Sequence, residues 1–76
     1  EPTVGIDIKT KAEIHRLMHR LTQQEKSVIC ITSDMPEIIQ IADRIIVFKE
    51  GRIMGELINS KVYDEMSKKI MNLIMD

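Results

Sequence analysis

Residues 42–56 read ADRIIVFKEGRIMGE, and they carry the clearest structural signal in the chain. Two runs rich in β-branched residues, Arg44–Lys49 and Arg52–Ile58, stand on either side of the pair Glu50-Gly51. A short glycine-containing turn between two such runs is typical of a β-hairpin, because glycine readily adopts the positive φ that a tight turn requires. We therefore predict an antiparallel hairpin with Gly51 in its turn.

A helix is predicted upstream, over residues 10–24. Thr10 and Glu13 have the spacing of a capping box, in which two side chains satisfy the free amides of the first turn. Apolar side chains follow at i, i+3, i+4 and i+7, the period of one helix face. They are Ile14, Leu17, Met18 and Leu21.

Two further helices are predicted next to the hairpin. In the segment 33–37, Asp34 and Glu37 repeat the capping spacing, and Pro36 falls in the first turn, where a missing amide costs little. The apolar side of this short helix comprises Ile38, Ile39, Ile41 and Ala42. The last helix, over residues 60–75, has one apolar stripe made of Val62, Met66, Ile70, Leu73 and Ile74.

Residues 28–32, with the sequence VICIT, form a continuous apolar run without alternation. Such a run is typical of a central strand of a parallel sheet, which is covered on both faces. Because a helix precedes it, a β-α-β unit is the expected context, and the first strand of that unit would lie before residue 1. We therefore expect a piece of a larger α/β fold with the order helix, strand, helix, hairpin, helix.

The size and composition restrict the possible functions. The chain has 76 residues with 11 basic and 12 acidic side chains, and so resembles one small domain of marginal stability rather than a nucleic-acid-binding arm. Cys30 is the single cysteine, which excludes a disulfide framework and favours a reducing cytosol. No apolar stretch approaches the roughly 20 residues of a membrane span, and no signal peptide is recognisable.

Three segments, in this order, resemble the C-terminal part of the ATP-binding domain of ABC transporters. Glu1-Pro2-Thr3 followed by Val4-Gly5-Ile6-Asp7 resembles the end of the second nucleotide-binding motif and the D-loop. Residues 31–34, Ile-Thr-Ser-Asp, resemble the switch region, and residues 42–56 resemble the closing hairpin almost position for position. The Gly-Ile-Asp form of the D-loop and the serine at position 33 are most similar to the second ATPase half of importers of ribose, galactose or xylose.

The resemblance implies a role for three residues. Glu1 would be the catalytic carboxylate, a general base that orients the water attacking the γ-phosphate. Asp7 would belong to the loop that couples two ATP sites. Ser33 would occupy the position of the switch histidine, and a short uncharged hydroxyl cannot match an imidazole in reach or charge. The resemblance implies no metal ligand within the chain.

Each of these residues also has a structural interpretation. Glu1 could be an ordinary exposed acid, and Asp7 could cap the first helix, where its charge meets the positive end of the helix dipole. Ser33 could be a helix cap. His15 and His19, at i and i+4, could present two imidazoles to zinc, but no convincing further ligands accompany them, and no activated-serine motif indicates a hydrolase.

The organisation expected from the resemblance is a C-terminal fragment of a P-loop NTPase-like ABC ATPase domain spanning residues 1–76. Residues 1–7 would carry the catalytic glutamate and D-loop, residues 8–58 the α/β part with its hairpin, and residues 59–76 the last helix. ATP and Mg²⁺ would be the cofactors of the intact enzyme. The 76 residues alone contain no Gly-Lys-Ser/Thr loop, so we expect them neither to bind nor to hydrolyse ATP.

The intact protein would be the ATP-binding subunit of a sugar importer. Its partners would be membrane-spanning permease subunits and a second ATPase half, at the cytoplasmic face of the cell membrane, with no nucleic acid. As a fragment, the chain is expected to form a homo-oligomer, either through exposed strand edges or by exchange of helices. Two alternatives stay open: an importer of nucleosides or autoinducers within the same family, and a free-standing interaction module that binds a partner through its methionine-rich last helix.

Overall fold

A computed structural model describes residue 5 and residues 7–75 of the chain. The elements follow in the order α1 (Ile8–Gln23), α2 (Met35–Ile41), β1 (Arg44–Lys49), β2 (Arg52–Ile58) and α3 (Tyr63–Met75). They fall into two compact units, one formed by residues 1–33 and the other by residues 34–76. The predicted α/β class is confirmed, with one two-stranded sheet among the described residues.

The first unit contains α1, which begins two residues earlier than the spacing of Thr10 and Glu13 predicts. Asp7 is the N-cap, and its carboxylate Oδ1 accepts a hydrogen bond of 2.8 Å from the backbone N–H of Thr10. Thr10 is therefore the third helical residue, and the predicted capping box is wrong. Both residue types can cap a helix, and the acidic one does so here because its charge also meets the positive end of the helix dipole.

Residues 28–32 do not form the predicted strand. They have no regular secondary structure, and the side chains of Ile29 and Ile31 are 90% and 75% exposed. A strand exists only where its backbone is hydrogen-bonded to a neighbour, and in the described part of the chain the one pairing is that of β1 with β2. The β-branched composition of this run favours a strand but does not supply a partner.

The second unit is built on the predicted hairpin, whose strand bounds are confirmed. The strands pair from Arg44 opposite Ile58 to Lys49 opposite Arg52, so the loop is the two-residue turn Glu50-Gly51. Both turn residues have positive φ, 51° and 75°, which is the signature of a type I′ turn and matches the twist of the flanking strands. The pairing register shifts between Val47 and Phe48, where β2 has one extra residue, Met54.

The core of the second unit lies between one face of the hairpin and the helices α2 and α3. Ile45 and Val47 alternate toward this face, as the period of a strand requires. Among the described residues, five apolar ones are buried, namely Ile39, Ile45, Val47, Met66 and Ile70. Met66 is fully buried and Ile70 nearly so, which confirms the centre of the apolar stripe predicted for the last helix.

The last helix begins at Tyr63 rather than at Ser60. Lys61 has φ of 65°, a left-handed conformation that cannot continue into a right-handed helix. Val62, which the stripe predicts to be buried, precedes the helix and is 55% exposed. The Ser60 hydroxyl instead accepts a hydrogen bond from the Val62 N–H and donates one to the carboxylate of Glu65.

Candidate functional site

The N-terminus of α2 is the best-defined part of the predicted site. Asp34 is its N-cap, and the carboxylate Oδ1 accepts a hydrogen bond of 3.0 Å from the backbone N–H of Glu37. Pro36 lies in the first turn, as predicted. Ser33 directly precedes the cap and is exposed, so its interpretation as the helix cap is wrong.

The inner face of α2 packs against the core of the second unit. Glu37 and Ile39 are only 3% and 2% exposed. Met35, Ile38 and Ala42 pack against the same apolar cluster. The predicted apolar side of this helix is therefore confirmed for Ile39, Ile38 and Ala42, and Ile41 is half-buried.

The C-terminal end of α2 is held by Asn59, a residue that the sequence analysis missed. Its side-chain nitrogen Nδ2 donates hydrogen bonds of 2.7 Å to the carbonyl of Ile39 and 2.6 Å to the carbonyl of Ala42. Its oxygen Oδ1 accepts a bond of 2.9 Å from the N–H of Lys61, and its own N–H donates to the carbonyl of Asp43 at 3.0 Å. The turn between α2 and β1 is thus held from the far end of β2.

One signal in the sequence could have pointed to Asn59. It follows a strand in the polar segment Asn59-Ser60-Lys61, and asparagine in such segments commonly bonds nearby backbone groups. Its partners Ile39 and Ala42, however, lie 20 and 17 residues away in sequence. The local sequence pattern around Asn59 therefore does not predict these partners.

Asp7 lies at the N-terminus of α1 and is exposed. Hydrogen bonds from the backbone and side chain of Thr10 lower the pKa of its carboxyl, because they favour the charged form. The interpretation of Asp7 as a helix cap is confirmed. A coupling role for the same residue stays a prediction.

Glu1, the predicted catalytic carboxylate, lies outside the described residues. The structure therefore describes two of the three predicted site residues. Each of them stands next to the start of a helix: Asp7 as the cap of α1, and Ser33 directly before the cap of α2. At both helix N-termini an aspartate carboxylate already accepts a hydrogen bond from a backbone amide of the first turn.

Metal and membrane sites were also considered in the part of the chain that the structure describes. Within residues 7–75, no cluster of three or more histidine, cysteine, aspartate or glutamate side chains has the geometry to hold a metal ion. In the same range, no helix is both long and apolar enough to span a bilayer.

A surface network fixes the start of α3. Glu65 accepts hydrogen bonds of 3.0 Å from the Ser60 hydroxyl and 2.9 Å from the Lys69 ammonium group. These two bonds, with the charge of Lys69, lower the pKa of the Glu65 carboxyl. All three side chains are exposed and one helical turn of α3 connects Glu65 to Lys69, so the network supports the helix rather than a site.

Comparison with known sequences identifies the class of protein to which the chain is similar. The chain matches a segment of proteins named as ribose, xylose or galactose import ATP-binding proteins, which confirms the resemblance drawn from the sequence. No protein-family model matches the chain, and no solved structure matches it.

Three of the relatives are named for the import of ribose or xylose. A ribose import ATP-binding protein of Rhodococcus jostii is 46% identical over 86% of the chain, and a xylose import ATP-binding protein of Photobacterium profundum is 48% identical over the same share. A second ribose import protein, from Agrobacterium fabrum, is 45% identical over 96% of the chain. The chain spans only 13 to 14% of the length of these three relatives.

Proposed function

We propose that the chain is part of the ATP-binding subunit of an ABC importer that couples ATP hydrolysis to uptake of a simple sugar. The observation that carries the proposal is the identity of 46 to 48% over 86% of the chain with ribose and xylose import ATP-binding proteins. The exposed side chains of Ile29 and Ile31 are consistent with it, because other parts of a larger protein would cover such apolar surface.

In this proposal the three site residues act together in the intact subunit. Glu1 orients the water that attacks the γ-phosphate, which requires Mg²⁺ and a phosphate-binding loop supplied by other parts of the protein. Asp7 couples the two ATP sites while it caps α1. Ser33 lies at the γ-phosphate, where it donates a hydrogen bond but cannot provide the positive charge of a protonated histidine.

The proposed partners are the permease subunits and a second ATPase half, and the proposed location is the cytoplasmic face of the membrane. The 76 residues by themselves are proposed not to bind or hydrolyse ATP and to self-associate. The exposed side chains of Ile29 and Ile31 support self-association, because exposed apolar surface favours contact with a second copy. Isothermal titration of the 76-residue chain with MgATP tests the proposed lack of ATP binding. A Kd below about 100 µM, a binding free energy of about −5.5 kcal/mol, would overturn it.

Uptake assays test the proposed function in the complete protein. Deletion of the gene should abolish ATP-dependent uptake of at least one of labelled ribose, xylose and galactose, and the wild-type gene should restore it. Uptake of a nucleoside instead would transfer the assignment to the alternative within the family. Unchanged uptake of all these solutes, together with a protein that shows no association with a permease, would favour the interaction module.

A further inference from the structure

We propose that Asn59 is a positioning residue of the ATP site: it holds the C-terminal end of α2 and thereby fixes Ser33-Asp34 at the other end of that helix. The inference rests on the function proposed above and names a residue outside the motifs that carry the family resemblance. Asn59 and α2 lie in the second unit, and Ser33 is joined by a peptide bond to Asp34, the N-cap of α2.

Asn59 is fully engaged in backbone contacts. Its two side-chain N–H groups face the carbonyls of Ile39 and Ala42, and its side-chain oxygen faces the N–H of Lys61. These partners determine the orientation of the amide, because the two carbonyls can only accept and the N–H can only donate. The side chain therefore ties α2 to the segment that follows β2, with no donor left to serve a ligand.

α2 depends on such external support. It has seven residues and is about 10 Å long at a rise of 1.5 Å per residue, which is too short for a helix to persist on its own. Its N-terminal end is closed by Asp34 and its C-terminal end by Asn59, with Glu37 and Ile39 buried between them. Loss of the Asn59 contacts frees two carbonyls at one end, and the short helix transmits that loosening to the other.

Loosening of α2 should affect the rate of ATP hydrolysis more than the binding of ATP. A group that contacts the γ-phosphate must be held in place for hydrolysis, and a displacement of about 1 Å can cost about a hundredfold in rate. Binding of the rest of ATP depends on other parts of the subunit. Loss of the Asn59 contacts should therefore lower kcat and leave KM for ATP almost unchanged.

Asn59→Asp is the sharpest variant, because it keeps the shape and replaces both N–H donors with an acceptor that faces two carbonyls. Asn59→Ala is the second variant, in case Asn59→Asp does not fold. Asn72→Asp makes the same chemical change at an exposed position of α3. Ile70→Val removes one buried methylene from the same unit and controls for loss of stability alone.

The experiment uses the complete ATP-binding protein with its permease and measures kcat, KM for MgATP, the melting temperature and amide exchange in residues 35–41. We expect Asn59→Asp and Asn59→Ala to lower kcat at least tenfold, change KM less than twofold and speed exchange in α2. Asn72→Asp and Ile70→Val should keep kcat within twofold of wild type. The inference is overturned if the Asn59 variants lower kcat no more than Ile70→Val does at an equal loss of melting temperature. It is also overturned if the Asn59 variants leave amide exchange in α2 unchanged. A wild-type protein without ATPase activity overturns the proposed function itself.

Discussion

Gly55 and Leu73 are so close that any side chain at position 55 would displace the methyl groups of Leu73. A β-carbon built on Gly55 would lie 2.9 Å from both methyl carbons of Leu73, shorter than any ordinary contact between carbon atoms. Gly55 lies in β2 opposite Val47, and Leu73 lies in α3. The missing side chain thus lets the last helix pack directly on the hairpin.

Gly55→Ala should therefore destabilise the second unit by about 1–3 kcal/mol, because Leu73 must leave its position. Leu73→Ala should also destabilise it, by loss of a packed side chain. The double variant should be more stable than the sum of the two effects predicts, since the smaller residue 73 accepts the new methyl group. Urea unfolding of the 76-residue chain, followed by circular dichroism, measures all three, and strict additivity would contradict the contact.

Met66 should be the most sensitive position of α3. It is fully buried at the centre of the apolar cluster, so Met66→Ala should cost about 2–5 kcal/mol through the cavity it leaves. Met71 lies on the same helix and is 40% exposed, so Met71→Ala serves as the matched control and should cost much less. Equal losses for the two variants in the same urea experiment would show that the buried face of α3 is assigned incorrectly.

The hairpin turn should tolerate asparagine but not valine at position 51. Gly51 has φ of 75°, and a residue with a β-carbon in that conformation is strained by about 1–2 kcal/mol, least of all asparagine. The side-chain space at Gly51 is open, so any loss comes from the backbone rather than from a clash. Gly51→Val should lower the urea midpoint more than Gly51→Asn, and the reverse order would rule out the type I′ turn.

The cap of α1 should respond to acid. The folded pKa of Asp7 is below its ordinary value, so its contribution to stability is complete above the unfolded pKa of about 3.9 and is lost as the pH falls through the lower folded pKa. The amide resonance of Thr10, which donates to Asp7, should report a midpoint below pH 3.9. Asp7→Asn keeps a capping oxygen and should remove this transition, whereas a midpoint above the ordinary value would contradict the cap.

Local chemistry made the second unit predictable. The turn at Glu50-Gly51 and the apolar stripe of α3 are properties of neighbouring residues, and both are confirmed except for Val62, which precedes the helix and is exposed. For the N-terminus of α1 the sequence offered both Thr10 and Asp7, because threonine and aspartate are both favourable caps, and only the structure shows that Asp7 is used.

Long-range partners made the rest unpredictable. Residues 28–32 have the composition of a strand, but a strand needs a paired neighbour, and composition does not reveal whether one is present. Asn59 bonds to carbonyls 17 and 20 residues away, a relationship that no local spacing indicates. In the candidate site, the family resemblance indicated Asp7 and Ser33 from the sequence alone. The support of α2 by Asn59 could be recognised only from the folded structure.

Hydrolysis of MgATP by the complete protein, with Glu1 and with Glu1→Gln, tests the central claim most directly. We predict that the wild type hydrolyses ATP, and that Glu1→Gln lowers kcat about 10²–10⁴-fold while it still binds ATP, because the amide keeps the shape but cannot act as a base. Glu25→Gln, at an exposed turn, is the control and should keep full activity. A wild-type rate that Glu1→Gln leaves unchanged would contradict the assignment of this chain to an ABC-type ATPase.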